Sequence, residues 1–187
     1  LNARAGDEII LANGTYSGRF VIPASANGTA VNRIILRGSR DAILDGGTQS
    51  TGYVLHMQGS YWDVVGFTIQ NGKKGIMADG VNHSTIDSIK VHNIGEEAIH
   101  LRKFSSHNTV KHTEITNIGL LTPDYGEGIY IGTAKSNWVN VTGGASDKSD
   151  SNKVINKMMQ QLFIETQALF SENVPDYLLD ELKLLPK

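Results

Sequence analysis

The chain has 187 residues, enough for one domain with a continuous core. Its 17 basic and 19 acidic residues give a net charge of −2, which argues against a nucleic acid or an anionic membrane as partner. It has no cysteine and no apolar run near about 18 residues, which excludes disulfides, cysteine-ligated zinc and a transmembrane helix.

The first elements in chain order are short strands separated by tight turns. Residues 5–16 have the pattern of a turn, a strand, an Asn-Gly turn and a second strand. Further short strands are predicted at 33–37 and 42–45, with glycines between them.

Residues 62–117 contain a repeated strand pattern. Three segments end in Asn71, Asn93 and Asn117, and each has a β-branched aliphatic residue seven and two positions before its asparagine. The asparagines are 22 and 24 residues apart. A period of roughly 20–30 residues built of short strands is typical of a solenoid. The pattern predicts a parallel β-helix in which the asparagine side chains stack into a ladder between coils.

Each coil also has a leading strand. Equivalent positions are expected at Val54, Ile76, Ile99 and Ile129. The second strand follows 10 or 11 residues later in three coils and 25 residues later in the fourth, where Val154 is the matching residue. The excess is a loop at 132–150. Loops inserted into a solenoid collect on one face, which is often the binding face.

The strand pattern stops after Asn156. Apolar residues then recur at helical spacing, and Pro175 begins a second short helix. We therefore expect two domains, a parallel β-helix at 1–156 and an α-helical C-terminal cap or interaction segment at 157–187. A segment that binds a partner or forms a homo-oligomer is the alternative to a cap.

The segment Gly-Asp-Glu-Ile-Ile-Leu-Ala-Asn-Gly-Thr-Tyr at 6–16 resembles the opening coil of pectate-lyase-like right-handed β-helix proteins. Polysaccharide lyases of the chondroitinase B and alginate lyase type belong to that superfamily. The recurring asparagines and the Gly-Glu-Gly-Ile-Tyr-Ile-Gly segment at 126–132 are similar to it as well. The resemblance covers about residues 5–156 and implies an all-β fold, a right-handed single-stranded parallel β-helix, here followed by the helical segment. It also implies a secreted, extracellular protein that acts on a polysaccharide.

Strand alternation identifies candidate site residues. If the leading-strand isoleucines face the core, Met77, His100 and Tyr130 form one outward row, and Asp79 and Arg102 are exposed with them. The other histidines lack the spacing of a metal site and are interpreted as surface or turn residues: His56, His83, His92, His107 and His112.

A lyase acting on a uronic acid must neutralise the carboxylate, remove the proton at C5 and protonate the leaving oxygen. The residues predicted to be catalytic are His100, Arg102, Lys103, Tyr130 and Glu127. The residues predicted to bind substrate are Met77, Asp79, Asp124 and Trp138. Chondroitinase B-like enzymes hold Ca²⁺ with an acidic pair, so the resemblance implies Ca²⁺ bound by Glu96 and Glu97.

Two other functions stay open at this point. Asp124 and Glu127 suit the acid and base of an inverting glycoside hydrolase if their carboxyl groups lie roughly 6.5–9.5 Å apart. A non-catalytic or truncated β-helix module that binds a glycan or a protein is the alternative from another class, with the helical tail for capping or oligomerisation. The sequence leaves open whether the chain is an enzyme.

Overall fold

The structure, a computed structural model, describes residues 3–155 of the chain. Its strands pair in parallel throughout, and every third strand belongs to the same sheet. Each coil therefore contributes one strand to each of three sheets, which is the predicted single-stranded parallel β-helix. The expected boundary after Asn156 and the helical segment at 157–187 lie outside the described residues.

The strands follow one another around the three sheets in a fixed order. Sheet A contains β1 (Glu8–Leu11), β4 (Ile34–Gly38), β7 (Trp62–Val65), β10 (Thr85–Asp87), β13 (Thr109–Lys111) and β16 (Lys153–Ile155). Sheet B contains β2 (Gly14–Ser17), β5 (Ala42–Asp45), β8 (Thr68–Gln70), β11 (Lys90–His92) and β14 (Glu114–Thr116). Sheet C contains β3 (Phe20–Ile22), β6 (Tyr53–Met57), β9 (Lys74–Asp79), β12 (Ile99–Arg102) and β15 (Ile129–Ile131).

Helices are short in the described part of the chain. A 3₁₀-helix at Pro123–Tyr125 precedes β15. A second 3₁₀-helix at Lys135–Asn137 and the helix α1 (Trp138–Val141) lie in the loop after it. Within residues 3–155, no helix has the length and apolar character needed to cross a bilayer.

The strand register confirms the predicted spacing in sheet A. Val64, Ile86 and Val110 are Cα partners in successive coils, and Val110 pairs in turn with Val154. The loop at 132–150 is therefore an insertion that leaves the stacking of the coils unchanged.

One predicted equivalence in sheet C is wrong by one residue. Ile76 pairs with Leu55 and not with Val54. Both Val54 and Leu55 are buried, so hydrophobicity did not separate them. Val54 lies at the corner where the chain enters β6, and a Cβ added to Gly72 would come within 2.3 Å of its Cγ2. Its side chain is thus buried at a corner and not in the alternating part of the strand.

The core is an apolar column enclosed by the three sheets. Its largest fully buried side chains include Trp62 and Phe67, together with isoleucines from several coils. Burying one such side chain stabilises the fold by about 1.5–3 kcal/mol. The indole Nε1 of Trp62 donates to the carbonyl oxygen of Ala26 at 2.8 Å, so its one polar atom is satisfied.

The asparagines that end the repeats adopt left-handed backbone conformations. The φ angles of Asn71, Asn93 and Asn117 are 55°, 55° and 53°. Asparagine tolerates this region better than most L residues, which accounts for its recurrence at the corner between sheets B and C. The Asn117 amide donates to Oδ1 of Asn93, whereas that of Asn71 donates to Asp45. A continuous asparagine ladder through the three positions stays a prediction.

A buried polar network lies at the corner between sheets C and A. The Asn108 side chain is buried, accepts from the Ser84 main-chain N–H at 2.9 Å and donates to the Val81 carbonyl at 2.8 Å. It also donates to Oδ1 of Asn152, whose amide donates to the Ser105 carbonyl. These bonds satisfy main-chain groups at a buried corner, where a lost partner would be costly.

Candidate active site on the outer face of sheet C

On the outer face of sheet C, the paired register stacks four side chains in a column, three with rings and one methionine. His56, Met77, His100 and Tyr130 are Cα partners in successive coils. This confirms the row predicted for the last three. Asp79 and Arg102 are paired two residues further along the same strands.

The predicted exposure of that row is wrong for Met77 and His100. Met77 is 0% exposed and His100 is 4% exposed, although both point away from the core cluster. The ring of Tyr130 stacks on that of His100 with centroids 4.3 Å apart, and His56 and His100 flank Met77 along the column. Met77 is therefore part of the floor under the site and not a surface for a sugar.

Two carboxylates and two lysines form ion pairs beside this column. The Lys74 Nζ lies 2.6 Å from Oε1 of Glu97 and 3.5 Å from Oε2 of Glu96. The Lys73 Nζ lies 3.2 Å from Oε1 of Glu96, which also accepts from the Thr122 hydroxyl. Glu96 and Glu97 are both buried, and a buried carboxylate of this kind requires a cationic partner.

Glu97 is held in its charged form. Burial raises its pKa, but the contact with His100 and the charge of Lys74 outweigh burial and lower the pKa to about 2. The His100 Nδ1 lies 3.4 Å from Oε1 of Glu97, without the alignment of a hydrogen bond. Its Nε2 donates to the Gly132 carbonyl oxygen at 2.8 Å. Both ring nitrogens of His100 therefore face protein groups.

Asp79 joins a histidine and an arginine from the two flanking strands. Its Oδ2 lies 3.0 Å from Nε2 of His56, and its Oδ1 accepts from Nε of Arg102 at 2.7 Å. The Arg102 Nη2 lies 3.4 Å from the Tyr53 hydroxyl, and the rings of Tyr53 and His56 meet edge to face.

The charges in this second group reinforce one another. Burial raises the pKa of Asp79, but Arg102 and His56 outweigh burial and hold it below its ordinary value. Burial lowers the pKa of Arg102, and the bond with Asp79 more than compensates and raises it. Asp79 is thus an ionised acceptor, and Arg102 is a fixed cation.

Three other predicted residues occupy the turns around β12 and β15. Glu127 is buried two residues before β15 begins. Asp124 is exposed in the 3₁₀-helix Pro123–Tyr125, and Lys103 is exposed directly after β12. Their catalytic and substrate-binding roles stay predictions.

Asp147 ties the long loop to the turn after β12. Its carboxylate accepts from the main-chain N–H groups of Lys103 and Phe104, each at 2.8 Å, and from the Thr133 hydroxyl at 2.6 Å. Lys103 and Phe104 have φ angles of 58° and 66°, and consecutive left-handed residues other than glycine are strained. Burial raises the pKa of Asp147, but these hydrogen bonds outweigh it and lower the pKa.

Trp138 lies in the same loop. It is half-buried, and its Nε1 donates to the Thr133 carbonyl at 2.7 Å. The polar edge of the indole therefore pins the loop, and stacking of its ring on a sugar stays a prediction.

The two carboxylates expected to bind Ca²⁺ are already paired with cations. Glu96 and Glu97 are paired with lysines, and within residues 3–155 no three or more His, Asp or Glu side chains are grouped to hold a metal ion. Ca²⁺ takes about 6–8 oxygen ligands. Calcium binding by this pair stays a prediction.

Three of the histidines predicted to lie on the surface or in turns are exposed outside this site. His83 and His107 are exposed at left-handed corner positions, and their rings stack with centroids 4.9 Å apart. His112 is also exposed, and its Nδ1 lies 2.9 Å from a carboxylate oxygen of Asp87. His56 is the exception, because it belongs to the site.

Sequence reasoning missed His56, Tyr53 and Lys74 for identifiable reasons. His56 is interpreted as a surface or turn residue because its spacing suggests no metal site, and the one-residue error at Val54 hides its place in the column, where it pairs with Met77. Tyr53 and Lys74 are Cα partners at the corner where β6 and β9 begin, and alternation fails there. One signal in the sequence was available: the charged side chain of Lys74 is not expected in a solenoid core, so it could have been predicted to lie outside the core.

Comparison with solved structures relates this fold to polysaccharide lyases. An alginate lyase from Paenibacillus sp. str. FPU-7 matches 86% of the chain with a TM-score of 0.77 and 34% sequence identity. The chain spans 53% of that enzyme, about half its length. A mutant of the PL6 family alginate lyase AlyGC matches 71% of the chain and 24% of its own, with 22% identity and a TM-score of 0.48, too weak a likeness to carry an argument.

No protein-family model and no curated protein sequence matches the chain. The fold, the register and the alginate lyase from Paenibacillus nevertheless agree with the resemblance seen in residues 6–16. The chain is therefore related to the pectate-lyase-like parallel β-helix proteins, and its described part is a polysaccharide-lyase-like β-helix.

Proposed function

We propose that the protein is a secreted, extracellular enzyme that cleaves a uronic-acid polysaccharide by β-elimination on the outer face of sheet C. The observation that carries the proposal is the fixed cation Arg102, held by Asp79, which also binds His56, and bonded to the Tyr53 hydroxyl. The similarity to a protein described as an alginate lyase supports the same chemistry.

Arg102 is suited to neutralise the substrate carboxylate. Asp79 and Tyr53 engage its Nε and Nη2 atoms, and among the described residues its Nη1 has no hydrogen-bond partner. A guanidinium presents a planar fork of donors that matches a carboxylate. Its side chain is 20% exposed, enough to be reached from solvent while its direction is fixed.

Tyr130 is a second group that the sequence predicts for proton transfer at this face. It is half-buried, and His100 stacks under its ring. We assign His100 the role of orienting that ring, because the nitrogens of His100 face Glu97 and Gly132. Lys103, exposed after β12, is the second cation available to an anionic polymer.

The proposal is tested by incubating the protein with a panel of uronic-acid polysaccharides, with and without Ca²⁺. Elimination creates a conjugated C4=C5 double bond whose ultraviolet absorbance is followed over time. Arg102→Lys should lower kcat/KM by about 10–100-fold, because lysine keeps the charge and loses the fork. Arg37→Lys is the matched control, since Arg37 pairs with Glu8 on sheet A, and it should leave kcat/KM unchanged.

The outcomes separate the candidate functions. No ultraviolet signal and no new reducing ends would overturn catalysis altogether. New reducing ends without the double bond would indicate a hydrolase and direct attention to Asp124 and Glu127. Equal activity of both arginine variants would place the site elsewhere on the chain.

A non-catalytic glycan-binding module is the second candidate function. The observation that favours it is the mutual neutralisation of Lys73 and Lys74 by Glu96 and Glu97, which leaves that part of the face without net charge. Saturable binding of a polysaccharide by calorimetry, without any cleavage, would support this candidate against the lyase.

A further inference from the structure

We propose that His56 is the base that removes the C5 proton of the uronic acid, with Asp79 as its positioning residue. The inference rests on the proposed elimination reaction and assigns one step of it. From its spacing in the sequence, His56 is interpreted as a surface or turn residue.

The bond with Asp79 fixes the tautomer of His56. An ionised carboxylate accepts hydrogen bonds and donates none, so the imidazole Nε2, 3.0 Å from Oδ2, is the donor. In the neutral ring the lone pair then lies on Nδ1. Among the described residues, Nδ1 of His56 has no hydrogen-bond partner. A histidine with one nitrogen held by a carboxylate and the other open has the arrangement of a general base.

Exposure separates His56 from the other histidine in its column. The side chain of His56 is 23% exposed, whereas that of His100 is 5% exposed. Only His56 of these two can be reached by a polymer without movement of its neighbours.

The groups that face His56 come from four strands. On β9, Asp79 binds it and Met77 is its apolar neighbour in the column. On β3, Val21 is the neighbour on the other side. Arg102 on β12 reaches it through Asp79, and Tyr53 on β6 meets it edge to face with ring centroids 5.2 Å apart. The paired cation lies on one side of the imidazole and an aromatic hydroxyl on another.

The step balances without an oxidant, a reductant or water. Nδ1 of His56 takes the proton from C5, and the electron pair of the broken C5–H bond forms the C4=C5 double bond. The C4–O4 glycosidic bond breaks, and its electron pair stays on O4, which takes a proton from the Tyr53 hydroxyl. Arg102 pairs with the C6 carboxylate, where negative charge develops. Solvent then returns the proton from His56 to Tyr53.

Tyr130 and His56 cannot act on the same C5–H bond of the substrate. Coils of the stack are about 4.8 Å apart, and His56 and Tyr130 are separated by three of them. One sugar carbon therefore meets either His56 or Tyr130, and the two assignments exclude each other experimentally.

The test compares His56→Gln with Tyr130→Phe in the ultraviolet elimination assay. His56→Gln should lower kcat by about 10²–10⁴-fold with little change in KM, because general-base catalysis is lost while the binding groups remain. His112→Gln is the matched control, since His112 also pairs with an aspartate, and it should keep full activity. Circular dichroism and the thermal midpoint verify that each variant is folded.

Asp79→Asn tests the positioning role. An asparagine amide can donate to Nε2 and move the imidazole proton to Nδ1, which removes the base. Imidazole ¹⁵N chemical shifts should place the proton of His56 on Nε2 in the wild type and on Nδ1 in Asp79→Asn. A protonated imidazole cannot accept a proton, so the activity of the wild type should fall at acid pH. The residual activity of His56→Gln should not show this fall.

Four results decide the inference. Loss in His56→Gln with activity retained in His112→Gln supports it. Full activity in His56→Gln with loss in Tyr130→Phe overturns it and leaves the lyase function standing. An imidazole proton on Nδ1 of wild-type His56 overturns it regardless of activity. A wild type inert toward every uronic-acid polymer overturns the proposed function, and the assignment of its base with it.

Discussion

Glu97 is a buried carboxylate that stays charged beside the outer face of sheet C. Its partner Lys74 sits 2.6 Å away, and both side chains are mostly buried. Removing one member of such a pair leaves an uncompensated charge, whereas removing both is often tolerated. The stability of this protein should therefore depend on the pair as a unit.

Glu97→Gln should lower the free energy of unfolding near neutral pH by about 3 kcal/mol, the lower end for a broken buried pair, because Lys74 loses its nearer partner and keeps Glu96 at 3.5 Å. Urea unfolding, followed by circular dichroism, measures the change. Glu114→Gln is the control, since the exposed Glu114–Lys90 pair should contribute under about 1 kcal/mol. Equal midpoints for the two variants would contradict the interpretation.

The same pair predicts how wild-type stability depends on pH. The pKa of Glu97 falls from an ordinary 4.5 to about 2 on folding, so the unfolded chain binds the proton more readily. The stabilisation is complete above pH 4.5 and is lost as the pH falls toward 2, a change on the order of 3 kcal/mol. Urea midpoints between neutral pH and pH 2.5 should drop more steeply for the wild type than for Glu97→Gln. Parallel curves would show that Glu97 is not the titrating group.

At the scale of the element, loops are held to the stack by few but strong contacts. The loop at 132–150 is joined to the turn after β12 through Asp147, which accepts from two strained residues and from Thr133. Arg102 is the last residue of β12, so the same contact fixes the end of the strand that carries it.

Asp147→Asn should loosen this loop without unfolding the stack. Hydrogen bonds to a charged group contribute about 1.5–3 kcal/mol each, so amide exchange at Lys103, Phe104 and 133–149 should rise at least about tenfold. Asp150→Asn changes an exposed aspartate of the same loop and should leave exchange unchanged. Hydrogen–deuterium exchange with mass spectrometry distinguishes the two.

Because folding lowers the pKa of Asp147, the wild-type contact should be complete at neutral pH and weaken as the pH falls.

Strand interiors could be predicted from the sequence, and strand ends could not. Val154 was assigned correctly across a long insertion, because β-branched residues recur wherever a strand faces the core. Lys74 and Tyr53 were missed because the chain turns at the corners, where alternation stops. The burial of Met77 was not predicted, because it depends on side chains of the neighbouring coils, and the alternation within one strand carries no information about them.

Over the whole of the described stack, residues 3–155, each coil pairs only with the coil above and the coil below. The side chains of β1 and β2 are mostly exposed or half-buried, whereas β8 and β9 are mostly buried. In a stack of this kind, stability is a sum of terms within coils and between neighbours.

Amide exchange in the wild type should therefore be slowest in β8, β9, β11 and β12 and faster in β1 and β2. Ile69→Ala, in the fully buried middle, should cost about 2–5 kcal/mol and raise exchange along the stack. Tyr16→Ala, in the half-buried first coil, should raise exchange mainly in β1 to β3. Identical effects of the two variants in every strand would mean that the molecule unfolds as one unit.

The chain's two tryptophans lie in different environments of this architecture. Trp62 is fully enclosed in the core, whereas Trp138 is half-buried on the inserted loop. Indole emission shifts with the polarity around the ring, so Trp62 emits from a dry interior and Trp138 from a wetter one. With Trp62 replaced by phenylalanine, the remaining emitter reports opening of the loop, and with Trp138 replaced, the remaining emitter reports melting of the stack. The protein thus carries separate optical probes for its loop and its core without any added label.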